Sequence, residues 1–169
     1  LSMAGERLLV RAPNWLGDAV MAIPAIDALR EAHPQAHIAV DARPGIAPVF
    51  AAVPAVNEIC VCPAEGGFAG FSAKRAHAAK FRAGKFDAGI IFTNSFSTAC
   101  LMGMAGLPRR VGFSVKGRSI FLTEGVALTP ALRERHQRDW YAALVAPFGA
   151  HAGERLPALH IPPDATREA

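Results

Sequence analysis

The sequence has no apolar run approaching the roughly 20 residues that span a bilayer, although its mean hydropathy is positive at +0.22. A soluble fold is therefore expected. No basic segment followed by an apolar stretch opens the chain, so no export signal is read there, and Leu1 and Ser2 are set aside as a tag remnant. Cysteine is scarce. Cys60, Cys62 and Cys100 are too few and too poorly spaced for a disulfide or zinc framework, and read as buried, reduced thiols of a cytosolic protein. Charged residues make up only 19% against 51% apolar, which excludes disorder, collagen and low complexity. The excess of positive charge is slight: eighteen basic against fourteen acidic side chains give +4. That is too little to imply nucleic acid, but it is compatible with an anionic ligand. Walker, G-x-G-x-x-G, H-E-x-x-H and G-x-S-x-G patterns are all absent, and there is no Ser/His/Asp set, so proteolysis and esterolysis find no support.

What is present, in 169 residues, suffices for one α/β domain and not for two. Short apolar runs at 7–12, 37–42, 58–62 and 86–93 read as strands, with shorter ones at 110–113 and 120–122. Between them, Val20, Ile23, Ile26 and Leu29 recur at three- and four-residue spacing and predict an amphipathic helix from 19 to 33. Further helices are expected through Val49 and Phe50, over 71–85 (basic and alanine-rich), over 95–107, and over 136–148 ahead of Gly149. The alternation predicts an α/β, Rossmann-like three-layer sandwich with a mostly parallel sheet covered on both faces. This domain covers residues 1–153. Residues 154–169 are proline-rich and extended like a linker, and 164–168 read as the start of a helix whose body is missing. The expectation is one half of a longer, two-domain protein.

Ligands of such a sheet bind beyond the carboxyl ends of its strands. Three groups could carry chemistry, the first two in those connections and the third in a loop-rich segment. The loop 13–18 carries Asn14, Trp15 and Gly17 beside Asp18, which reads either as a helix N-cap or as a carboxylate base favoured by the helix dipole. Thr93, Asn94, Ser95 and Ser97 follow the fourth strand, as capping groups or as ligand contacts. Arg109, Arg110, Lys116 and Arg118 form a basic series, either a solvated loop or a grip on phosphate or carboxylate. His77, His136 and Trp140 read as surface or packing residues.

The stretch 8–25, Leu-Leu-Val-Arg-Ala-Pro-Asn-Trp-Leu-Gly-Asp-Ala-Val-Met-Ala-Ile-Pro-Ala, resembles the start of the ADP-heptose:lipopolysaccharide heptosyltransferases, glycosyltransferase family 9. The likeness is greatest to the second transferase of that family. It continues through His33-Pro34, 53–58, 93–97, 106–113, and His136 with Tyr141 and Leu144, nearly the whole chain. The resemblance implies the N-terminal domain of a GT-B glycosyltransferase, two Rossmann-like halves facing across a cleft. The half present would hold the lipopolysaccharide inner-core acceptor. The missing half would hold ADP-heptose, with transfer inverting the anomeric centre and using no metal or cofactor. Asp18 falls on the family's proposed general base. Asn14, Trp15, Gly17, Asn94 and Ser95 are then acceptor contacts, and Arg110 and Arg118 are candidates for acceptor phosphates or Kdo carboxylates. The same resemblance implies a cytoplasmic protein in peripheral contact with the inner membrane, with no nucleic-acid partner, and a chain inactive by itself. A catalytically silent module for an anionic glycolipid or a partner chain is the alternative. A small nucleotide-binding α/β protein is disfavoured by the first loop.

Overall fold

Leu8, Leu9 and Val10 have no solvent exposure, which a strand achieves only when both of its faces are covered. In the computed structural model, which describes residues 6–62 and 67–159, that strand lies in the middle of a six-stranded parallel sheet. The strands are β1 (Arg7–Arg11), β2 (His37–Ala42), β3 (Glu58–Val61), β4 (Ala88–Ile91), β5 (Arg109–Phe113) and β6 (Glu124–Val126), in the order β3-β2-β1-β4-β5-β6. The helices are α1 (Leu16–Ala32), α2 (Ala47–Ala51), α3 (Gly67–Ala83), α4 (Phe96–Ala105), α5 (Pro130–Arg133) and α6 (Gln137–Val145).

The two faces follow from the period-2 alternation of the strands. Leu8, Val10, Ile38, Val40 and Ile90 pack with Ile23, Ile26 and Leu29 of α1, Phe50 of α2 and Tyr141 and Leu144 of α6. Leu9, Ala39 and Ile91 pack on the other side with Phe81 of α3 and Leu101 and Met102 of α4. The predicted three-layer α/β sandwich is therefore what forms.

The chain builds outward from β1 to β3 and then returns to place β4 against β1 on its other side. Strand order thus reverses between β1 and β4, and the connections that leave these two strands diverge to open a crevice at the carboxyl edge. Nothing in the local sequence specifies that order.

Several boundaries differ from expectation. α1 starts at Leu16 with Trp15 in the cap position, so Asp18 lies in the first turn and is not the N-cap. An acidic side chain is favoured at either place by the helix dipole, so the sequence pattern alone does not separate the two. Residues 120–122 are not a strand. Arg118–Phe121 forms a 3-10 turn, and the strand follows at β6, which is short and not apolar. α5 was not anticipated from apolar spacing, but Thr129 caps it, accepting from the Leu132 N–H at 3.2 Å, with Pro130 opening the turn. The last helix ends at Val145, and a 3-10 turn over Ala146–Phe148 runs on to Gly149. Residues 154–159 of the expected linker carry no regular structure, and the helix start read at 164–168 lies outside the described residues. No helix among the described residues is long and apolar enough to cross a membrane.

Candidate functional site at the switch point

β1 and β4 leave the sheet side by side. Arg11 is in register with Ile91, and the Phe92 N–H donates to the Arg11 carbonyl at 3.1 Å. From β1 the chain passes through Asn14 and Trp15 directly into α1. This puts the half-buried Asp18 in the first turn, at the positive end of the helix dipole. Trp15 is 77% exposed and Leu16 is 59% exposed, apolar surface presented at the rim of the crevice. A Cβ at Gly17 would meet nothing within 4 Å, so the approach to Asp18 is open there.

From β4 the chain passes through Thr93, Asn94 and Ser95 into α4. Ser95 occupies the cap position but does not cap; its Oγ lies 2.9 Å from Ser97 Oγ. Thr93 Oγ1 and Asn94 Oδ1 are buried and lack a hydrogen-bond partner among the described residues. Each such atom costs about 1–3 kcal/mol, a cost that a bound hydroxyl or amide relieves. The structure therefore brings Asn14, Trp15, Gly17, Asp18, Asn94 and Ser95 to one edge on the two sides of one crevice.

The basic series is not brought there as free cations. Arg109 and Arg110 open β5, at the amino end of the sheet and so opposite the edge where Asp18 lies. Arg109 pairs with Glu124 at 2.9 Å, and its guanidinium lies 4.0 Å from the Phe148 ring centroid. Arg110 donates to the Phe121 carbonyl at 2.6 Å and to that of Leu107. Lys116 is exposed, in a left-handed conformation at φ 53°.

Arg118 has no exposed surface at all, which corrects the expectation of a direct contact with ligand. Its guanidinium turns inward, donating to the Phe113 carbonyl at 2.8 Å, to Ser95 at 3.4 Å and to Thr93. Burial pulls this group down to about 10. Its Nη2 lies against Gly112, where a Cβ would stand 2.7 Å away, so only glycine leaves room for it. Arg118 thus fastens the Thr93–Ser95 carbonyls from beneath.

Sequence reasoning missed two contributors. Arg11, 1% exposed at the end of an apolar strand, donates to Asn14 Oδ1 and to the Asp41 carbonyl, each at 3.0 Å, and so anchors the first loop. A charge closing an apolar strand was the available signal. Tyr141 of α6 is buried against Phe92, ring centroids 4.9 Å apart. Burial holds its phenol well above the usual range, the hydrogen bond from Gln137 opposes this, and the nearby charge of Asp18 adds to the rise.

No protein-family model matches the chain. In sequence it is similar to lipopolysaccharide heptosyltransferase 2 of Escherichia coli K12, with 31% identity over 107 residues, 63% of this chain and 31% of that protein. In structure it is similar to the E. coli ADP-heptose lps heptosyltransferase II, with TM-score 0.78 and 26% identity over 94% of this chain and 47% of the other. The family 9 glycosyl transferase of Veillonella parvula superposes with TM-score 0.84 at 23% identity, over 97% of this chain and 47% of that one, a likeness of fold. The chain spans less than half the length of each of these proteins. The resemblance to heptosyltransferases carried by the sequence motifs is borne out.

Proposed function

We propose that this chain is the N-terminal, acceptor-binding half of an inverting glycosyltransferase that moves heptose from ADP-heptose to the lipopolysaccharide inner core. The observation that carries this reading is the placement of Asp18 at the strand-order reversal, with two unpaired buried polar atoms on the other side of the same crevice. The likeness to heptosyltransferases supplies the substrate classes.

In this reading Asp18 accepts the proton of an acceptor hydroxyl as that oxygen bonds to the anomeric carbon of the donor. The bond from that carbon to the diphosphate oxygen breaks on the opposite face, ADP departs, and the configuration inverts. General-base help of this kind contributes about 10²–10⁴ in rate. Asn14, Asn94 and Ser95 receive acceptor hydroxyls, the exposed Trp15 ring offers a flat apolar face to a sugar, and Gly17 leaves the approach clear. Arg118 acts as a positioning residue beneath Thr93 and Ser95, and Arg110 stands away from the reacting groups. ADP-heptose binds through the second half, and the reaction belongs to the cytoplasmic face of the inner membrane.

The test uses the protein carrying both halves. Asp18→Asn is expected to lower turnover about 10²–10⁴-fold, with the circular dichroism spectrum and Tm unchanged. Near-normal turnover would remove Asp18 from the chemistry. Titrating the 169-residue chain separates the halves: a phosphorylated inner-core oligosaccharide is expected to bind and ADP-heptose is not. Binding of ADP-heptose alone would overturn this division. Oligosaccharide binding with no transfer by the two-half protein would identify a silent glycolipid-binding module.

A further inference from the structure

Beneath the first loop, three donors of different chemistry converge from three separate elements. Asp41 comes from the end of β2, Cys62 directly follows β3, and His77 comes from the middle of α3. A carboxylate oxygen of Asp41, the Cys62 Sγ and a ring nitrogen of His77 all lie within 4.8 Å of one another. All three residues are buried, at 0%, 7% and 5% exposure. We propose that Asp41, Cys62 and His77 form a binding site for a thiophilic divalent cation, zinc foremost, with water as the fourth ligand.

The donor set selects the ion. Thiolate, imidazole and carboxylate together suit zinc or cobalt, whereas calcium and magnesium require oxygen alone. The backbone holds the set in place. The Cys62 N–H donates to the Ala42 carbonyl at 2.8 Å, which fixes the thiol beside the end of β2. The His77 ring is set edge-on to Phe81, with centroids 4.4 Å apart, and its Nε2 lies 2.7 Å from Asp41 Oδ1. Donors around a tetrahedral zinc stand about 3.5 Å apart, given bonds of about 2.0–2.3 Å. Binding therefore opens the His77–Asp41 contact by roughly an ångström or less and draws the thiol in.

The second oxygen completes the case. Asp41 Oδ2 accepts no hydrogen bond among the described residues, and the Arg11 Nε lies 3.4 Å from it. Arg11 can thus orient the carboxylate from outside while Oδ1 ligates, as outer partners of metal ligands do. An ion pair alone requires neither the imidazole nor the thiol. Thiolate and carboxylate give −2, Arg11 gives +1 and the ion +2, so both anions are compensated and the occupied site carries a net charge of +1. On binding, the Cys62 thiol proton goes to solvent, and the His77 proton passes to Nδ1 through solvent, freeing Nε2.

His77 also lines a cavity of about 410 Å³ between β3 and α3. The ion would clamp β2, β3 and α3 together. Through the Arg11 contact to Asn14 it would also stiffen the loop that carries Asp18. Its role is structural, separate from sugar transfer.

The test titrates the reduced, metal-free 169-residue chain with cobalt(II) and then zinc. One equivalent of cobalt is expected to produce a thiolate-to-cobalt charge-transfer band and the visible bands of a tetrahedral ion, both displaced by zinc. Cys62→Ser should abolish the charge-transfer band, His77→Gln should weaken binding about tenfold or more, and Cys60→Ser should change neither. X-ray absorption on the unsubstituted zinc-loaded chain needs no variant and should show one sulfur at about 2.3 Å among nitrogen and oxygen ligands at about 2.0 Å. The absence of a thiolate band at one equivalent, a sulfur-free shell, or a band that survives Cys62→Ser and is lost in Cys60→Ser each overturns the site.

Discussion

Two buried arginines support the two sides of the crevice, and they do so on different electrostatic terms. Arg11, at the end of β1, holds Asn14 and the Asp41 carbonyl while paired with the Asp41 carboxylate at 3.4 Å. Arg118, in the 3-10 turn after β5, holds the carbonyls of Thr93, Ser95 and Phe113, with no carboxylate partner among the described residues. The first is half of an ion pair; the second is a buried charge solvated by backbone dipoles. Both do the same mechanical work, because a loop at the edge of a parallel sheet has no ladder to hold it and needs side-chain donors for its carbonyls.

The difference predicts unequal costs. Arg11→Met leaves the buried Asp41 carboxylate with its His77 contact but no fixed cation and should destabilise the fold by about 3–5 kcal/mol, read from urea unfolding. Arg118→Met strands only carbonyls and should cost about 1–3 kcal/mol in the same measurement. Equal losses would break the comparison, and a larger loss for Arg118 would reverse it.

The smallest effect reads the field between the two sides. Tyr141 is the single tyrosine of the chain, so phenolate absorbance reports it alone. In the folded chain its ionisation should lie well above the ordinary value of 10, first because of burial and then because of Asp18, and it should fall to about 10 in urea. Since the folded value is the raised one, this group's contribution is complete below about pH 10 and is lost as pH climbs beyond it. Tyr141→Phe should remove that alkaline loss, and Asp18→Asn should lower the folded value slightly. An unchanged titration in Asp18→Asn would place Asp18 too far from Tyr141 to act on it.

Much of the fold was legible locally. Apolar runs such as Leu8-Leu9-Val10 and the spacing of Ile23, Ile26 and Leu29 carry their own periodicity, so the strand-helix alternation was readable before any contact was known. Boundaries were harder where two structures fit one pattern. Ile120-Phe121-Leu122 looks like a strand, yet Ile120 ends 76% exposed in a turn that lets Arg118 point inward. The candidate site was legible in part. Asp18, Asn94 and Ser95 stood out as polar residues at loop positions, whereas Arg11 and Arg118 differ from solvated arginines only through neighbours distant in sequence.

By itself, then, the sequence determined an α/β chain with a polar, acid-bearing first loop and motifs resembling the heptosyltransferases, because periodicity and short motifs are local properties. The tertiary structure decided that β4 returns beside β1, that Asp18 and Asn94 therefore share one crevice, and that Arg118 lies inside the protein. It also decided that Asp41, Cys62 and His77 meet. These depend on strand order and on which carbonyls and charges find partners across the sheet, and both are settled only when the whole core packs.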